Sequence, residues 1–294
     1  MALSTKTIKR RIKSVSNTKK ITRAMEMISA VKMRRAVAHT LATRNYSRLA
    51  WEMLLDIAQT TNIKLHPLLA KRPVKKIGLI FITSNRGLAG GFSTKLLQEA
   101  HEYIKRETNA MVDVIVMGKR GRKIYTNFGH TVTHEYEKID VTTDISEVRS
   151  VSKLIIDEYT NKNYDKIVVA YTDFLSAIRQ IPKIKQILPL RLDMTQAVEQ
   201  EDKTKMLTNT RFKFEPNTLD VLTTLLPRLI EMQIYQAVLE SDASEHSARM
   251  MAMRNASDAA KDMIKELNMT FNKARQAAIT QEIAEVVGGA AAVE

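Results

Sequence analysis

The sequence predicts a mixed α+β and α/β protein: a long antiparallel two-helix coiled coil built from the N- and C-terminal segments, with a Rossmann-like α/β domain inserted between them. Three observations carry this: a sustained apolar seam near the C-terminus, a glycine- and proline-free helical stretch at the N-terminus, and alternating strand and helix patterns between the two. The expected boundaries are residues 1–65 for the first helix, 74–195 for the α/β domain, 196–215 for a linker and 216–294 for the second helix.

The C-terminal seam is the strongest of these signals. Counting alternately by three and four from Leu222 gives Leu225, Leu229, Met232, Gln236, Leu239, Ala243, His246, Met250, Met253, Ser257, Ala260, Ile264, Leu267, Phe271, Ala274 and Ala278. A mean step of about 3.5 residues held over so many turns is what left-handed supercoiling around a partner helix requires. Met, Ala, Ser and Gln replace a continuous leucine ladder, so the seam is thin and adaptable. At roughly 1.5 Å per residue such a helix is on the order of 100 Å long, which predicts a projecting rod. Asn217 is a candidate N-cap with Asp220 three residues on, Pro227 predicts a kink or break, and Gly288-Gly289 predicts the helix end.

At the other end, no Gly or Pro precedes Pro67. Ile8, Ile12 and Val15 start a seam expected to continue through Ile21, Met25 and Ile28, with Thr18, Thr22 and Ser29 permitting close helix approach. His66-Pro67 and Arg72-Pro73 should end the helix. The first 25 residues also have the basic, acid-free character of a mitochondrial targeting peptide, but the helical pattern continues past the usual length of one. Between Met1 and Ala50 thirteen Lys and Arg residues face one acid, Glu26, so this segment holds +12 of the net +14 of the 294-residue chain. An acidic partner is implied.

The middle changes period. Ile77 to Thr83 is a short β-branched run of the buried parallel-strand kind, followed by the Gly-rich turn Ser84 to Gly91 and a helix to about Arg106. Val112 to Met117 is a second strand, followed by a Gly118 to Gly121 turn and a short helix; Asp144 to about Lys162 is a further helix and Lys166 to Tyr171 a third strand. This order predicts a small α/β sandwich with right-handed crossovers. Thr195 to Lys205 reads as polar loop.

Little here predicts catalysis. Gly87, Gly90 and Gly91 fit neither the dinucleotide fingerprint nor the phosphate loop, since the order is Ser93-Thr94-Lys95, and the segment reads as a tight structural turn. His130 and His134 would share a strand face without a third ligand nearby. With no cysteine, disulfides, thiolate metal sites and cysteine nucleophiles are excluded. No catalytic, cofactor-binding or metal residue is predicted. No apolar run approaches the roughly 20 residues of a membrane helix, which predicts a soluble or peripheral chain. A basic coiled coil that binds nucleic acid is the alternative, opposed by an aromatic content of 5% that leaves few stacking platforms.

Three stretches carry a resemblance over the whole chain. Val15 to Met27 (VSNTKKITRAMEM) and Ile279 to Ala291 (ITQEIAEVVGGAA) resemble the two terminal signatures of the gamma subunit of F-type ATP synthase, and Ser84 to Ser93 resembles that family's internal Gly-rich turn. The resemblance implies a non-catalytic rotor shaft without a cofactor, turning inside a ring of three alpha and three beta subunits. The α/β domain would then meet the epsilon subunit and the membrane ring of c subunits. Proton flow would turn the shaft and drive the catalytic sites on beta through their affinities. It further implies that Arg23 and Met25 lie near the acidic loop of beta, that Arg275, Gln276, Thr280 and Glu282 face the beta subunits, and that the basic face Lys9, Arg10, Lys13 suits that loop. The expected location is peripheral to the bacterial inner membrane, on its cytoplasmic side. The cysteine-bearing redox insertion of chloroplast members is absent.

Overall fold

The computed structural model describes residues 5–60, 66–107, 109–127, 132–190 and 218–291. The Asn217 cap, the 196–215 linker, the Thr195 to Lys205 loop and His130 lie outside the described residues. The two terminal helices are α1 (Thr5–Thr60) and α5 (Thr218–Ala291), and a mixed five-stranded sheet lies between them in sequence. The described chain divides into two bodies. One holds α1 up to Ala30 and α5 from Arg249 onward; the other is Val31–Ala248.

In the second body the strands are β1 (Lys76–Ile82), β2 (Met111–Met117), β3 (Val132–Tyr136), β4 (Lys166–Phe174) and β5 (Gln180–Leu188). Their order is β3-β2-β1-β4-β5, parallel except for β5, which runs antiparallel to β4. Alternate residues of each strand point to opposite faces. Ile77, Leu79 and Phe81 pack with Leu96, Leu97 and Ala100 of α2 (Phe92–Arg106) and with Tyr125 of α3 (Lys119–Asn127). Ile80, Ile82 and Ile115 join Val151, Ile155 and Tyr159 of α4 (Arg149–Thr160), and α5 adds Leu222, Leu226, Leu229, Ile234 and Val238 to that same core. From Leu229 to Ser247 nearly every residue of α5 is buried, on all its sides. A seam cannot describe a helix that is covered all round.

The sequence reading needs several corrections. It omits β5 and identifies β3 only through His134. Gly118 to Gly121 is not a turn, because only Gly118 turns the chain, at φ +106°, and Gly121 lies inside α3. α5 passes through Pro227 without a break. Proline in a helix interior costs about 3 kcal/mol, whereas each fully buried apolar side chain contributes about 1.5–3 kcal/mol. Leu226, Leu229 and Ile230 around it are all buried, so burial outweighs the proline. Nor do Gly288 and Gly289 end α5, which reaches Ala291. The two glycines cost about 1 kcal/mol each, and the alanines after them favour helix.

A Cβ on Gly118 would run into the carbonyl oxygen of Thr83, and its φ is unfavourable for any other residue. Gly118→Ala is therefore expected to destabilise the second body by about 2–3 kcal/mol, measurable as a lowered urea midpoint.

The first body is a helix pair. On α5, Met253, Ser257 and Ala260 are buried, and Ile264, Leu267, Phe271 and Ala274 are half-buried, as the seam predicts; from Arg275 to Val287 every residue is exposed. The 26 residues from Arg249 to Ala274 match the 26 of α1 from Thr5 to Ala30. An antiparallel pair has this length, and beyond it α5 continues with no helix facing it among the described residues. On α1, Ile8, Thr22 and Ser29 are buried while Ile21 and Ile28 are 61% and 56% exposed. Ile21 and Ile28 are therefore corrected, while Met25 stays half-buried as expected: the seam runs at seven-residue steps through Ile8, Val15, Thr22 and Ser29, with Ile12 and Met25 half-buried beside it. A shift of one residue turns a side chain by about 100°. Small hydroxyl residues hold the seam because they let two helices approach closely.

Candidate functional site

Two features stand out, one in each body. In the second body, six residues of α5, from Asp242 to Ser247, are enclosed by the loops at the C-terminal ends of the strands. Lys138, which follows β3, is 1% exposed at its side chain, and its Nζ donates to Asp242 Oδ1 at 2.5 Å and to Glu245 Oε2 at 2.9 Å. Asp242 Oδ2 accepts from the Thr142 backbone N–H at 2.8 Å. Burial opposes the lysine's charge, but the Asp242 and Glu245 carboxylates outweigh it and hold the ammonium above the ordinary lysine range. A bond of 2.7 Å joins His246 Nε2 to the Asp140 carbonyl, and the Asp140 carboxylate accepts from Lys32 Nζ of α1 at 2.8 Å. Ser244 donates to the Thr172 carbonyl at 3.0 Å, and Ser247 to the Ala177 carbonyl at 2.6 Å. Asn85 braces the lysine loop from the sheet side: its amide donates to the Lys138 carbonyl and its Oδ1 accepts from the Lys119 N–H.

The Gly-rich turn behind Asn85 is closed by its own side chains. Ser93 Oγ lies 3.2 Å from Thr83 Oγ1 and 3.1 Å from Ser84 Oγ, tying the two ends of the turn, and Gly90 sits at φ +55°. Among the described residues no group of three His, Asp or Glu is placed to hold a metal ion, and no helix is long and apolar enough to cross a membrane.

In the first body, the end of α5 beyond Ala274 displays Ile279, Ile283, Val286 and Val287 to solvent, with Val286 73% exposed. The spacing i, i+4, i+7, i+8 puts them on one face. Thr280 Oγ1 donates to the Gln276 carbonyl at 2.9 Å and Gln281 Nε2 to Glu285 Oε1 at 3.0 Å, bonds made within the helix itself. Uncovered apolar surface of this kind marks a place where another chain sits.

The family described as ATP synthase matches residues 4–293. The ATP synthase gamma chain of Chloroflexus aurantiacus is 41% identical over 295 residues, covering 99% of both chains. This chain belongs to the ATP synthase gamma chain family. The gamma chain of Legionella pneumophila (strain Corby) is 38% identical over 290 residues, covering 98% of this chain and 99% of the relative. Two solved structures support the fold. One is a chain of the Euglena gracilis mitochondrial ATP synthase, at TM-score 0.67 and 17% identity, covering 99% of this chain and 94% of that one. The other is a chain of the Tetrahymena thermophila mitochondrial ATP synthase central stalk and c-ring, at TM-score 0.59 and 21% identity, covering 81% and 99%.

The gamma-chain residues expected to meet partners are distributed as follows. Lys9, Arg10 and Lys13 are exposed, as are Arg275, Gln276, Thr280 and Glu282; Met25 is half-buried. Arg23 is exposed and pairs with Glu26 at 2.8 Å. On a helix, Gln276 and Thr280 fall on or beside the Ile279–Ile283–Val286 face, with Arg275 and Glu282 along its other edge. The sequence reading does not single out that apolar face, nor the residues around Lys138. The polar run Ser241-Asp242-Ala243-Ser244-Glu245-His246-Ser247 inside a long buried helix is the available signal.

Asp140 supplies a pH test. The Lys32 hydrogen bond lowers its carboxyl pKa, burial raises it less, and the charges of Lys32 and Arg86 add to the lowering. A carboxylate depressed in the folded state adds stability above its unfolded pKa of about 3.9 and loses it as pH falls through the folded value. The pair is one-third exposed, so its contribution is at most about 1 kcal/mol. Acid titration of unfolding should show a stability loss below about pH 4 that is reduced in Asp140→Asn.

Proposed function

We propose that this chain is the central rotor shaft of an F-type ATP synthase, carrying rotation between a proton-driven membrane ring and the catalytic sites on the beta subunits. The shaft would stand inside three alpha and three beta subunits, with the α/β domain against the epsilon subunit and the ring of c subunits. The chain itself contributes no catalytic residue and no cofactor site. ATP is made or hydrolysed on beta. The complex would be peripheral to a bacterial inner membrane, on the cytoplasmic side.

The observation that carries this reading is the end of α5. A helix that outruns its partner while keeping an apolar face is built to be enclosed by something else. Arg275, Gln276, Thr280 and Glu282 would provide the polar contacts around that face, and Lys9, Arg10, Lys13 and Arg23, with Met25 beside them, the charged ones toward an acidic loop of beta. Lys and Arg on an exposed helix surface steer association more than they fix affinity.

The test is affinity purification of the tagged chain from native membranes after nuclease treatment, with mass spectrometry of the intact complex. Three alpha and three beta chains per copy are expected. A lone chain, or a complex lost with nuclease, would instead favour the basic coiled coil as a nucleic-acid arm, whose binding would weaken steeply with salt.

A further inference from the structure

The contacts around Asp242 to Ser247 differ in kind from the rest of the packing on α5. From Leu222 to Leu239 the helix meets the sheet body mainly through apolar side chains. Apolar packing is non-directional, and it resists separation better than it resists slippage. The six residues from Asp242 to Ser247 hold the body by directional bonds, and their angular positions are informative. At about 100° per residue, Asp242, Glu245 and His246 project to one side of α5, and Ser244 and Ser247 to the opposite side. The first group holds the Lys138 to Thr142 loop, through Lys138 Nζ, the Thr142 N–H and the Asp140 carbonyl. The second holds the β4–β5 end, through the Thr172 and Ala177 carbonyls, and Gln180 Nε2 reaches Ser247 Oγ at 3.3 Å.

We propose that this two-sided polar clasp is the torque coupling of the subunit: Lys138 with Asp242 and Glu245 on one side, and Ser244 and Ser247 on the other, make α5 turn with the sheet body. A helix bonded on one side can roll about its axis by bending that contact. Bonds on opposite sides are loaded together by rotation in either direction, so they suit a shaft driven both ways. A buried ion pair is a weak source of net stability and is best attested as a device that fixes register, which is the task here. Lys138 is thus a positioning residue: it touches no nucleotide and acts by fixing the angle of α5. The proposal rests on the rotor reading given above.

The test uses inverted membrane vesicles holding the assembled synthase, and its readout is protons pumped per ATP hydrolysed. Two variants are compared with the wild type. Lys138→Met/Asp242→Asn/Glu245→Gln removes the charges with little change of shape, and Ser244→Ala/Ser247→Ala removes only hydroxyls. The ratio should fall below half in the first and by a smaller but measurable amount in the second. Because the chain has no cysteine, Ala177→Cys/Ser247→Cys can be added to the first variant as a single oxidisable link. Oxidation should restore the ratio and reduction abolish it again. A merely structural role would change how much synthase assembles and not the protons pumped per ATP by the enzyme that has assembled. An unchanged ratio in the assembled triple variant would overturn the proposal, as would an unchanged ratio in the serine variant should the triple variant not assemble. Failure of the tagged wild-type chain to bring down a proton-pumping complex would instead overturn the rotor reading, and this control precedes the variants.

Discussion

Lys138→Met alone should destabilise the folded chain by about 3–5 kcal/mol, because it leaves the carboxylates of Asp242 and Glu245 buried without their ammonium. Lys138→Met/Asp242→Asn/Glu245→Gln should recover most of that loss. Neutral amides bear burial far better than carboxylates, and the amide oxygen that Asp242→Asn leaves in place can still accept from the Thr142 N–H. Losses that do not add identify residues acting as one unit, and the coupling here should exceed about 1 kcal/mol. Urea unfolding followed by circular dichroism reads both numbers. A single variant costing under about 1 kcal/mol would mean that the Lys138 contacts are not the charged bonds their geometry indicates.

How much of this is legible in the sequence depends on whether the signal is local. β1, β2 and β4 are central strands, and their runs of Ile, Val and Leu declare themselves because both faces are covered. β5 is an edge strand with half-buried residues, four polar side chains and Pro182, a pattern that argues against a strand unless its edge position is known. β3 is short and mostly exposed at the other edge. The α5 seam is readable from Met250 to Ala274, where one partner sets one stripe, and unreadable from Leu229 to Ser247, where the sheet body covers every side. Thr22 and Ser29 pass for neighbours of the α1 seam when hydrophobicity is the criterion, whereas close approach of two helices selects for size. The clasp is beyond reach for a different reason. Lys138 and Asp242 are 104 residues apart, and neither position carries a local mark of the other.

Ile279→Asp/Ile283→Asp should leave the isolated chain as stable as the wild type, within about 0.5 kcal/mol, because both side chains are already in water. Its effect should appear on assembly. Enclosing the stripe would contribute about 1.5–3 kcal/mol for each isoleucine, and burying a carboxylate in its place costs more. Together the two substitutions should weaken capture of alpha and beta chains by more than about 100-fold. Charge reversal at Lys9, Arg10 and Lys13 should give a smaller loss that shrinks as salt is raised, since exposed charges are screened. The contrast separates two surfaces of the helix pair: a salt-independent loss belongs to an enclosed apolar face, and a salt-dependent one to a steering surface. Equal capture by the Asp variant and the wild type would mean that the α5 end is not enclosed by the ring. The shaft would then have to be held by the basic face of α1, and the salt dependence of whole-complex assembly would be correspondingly steep.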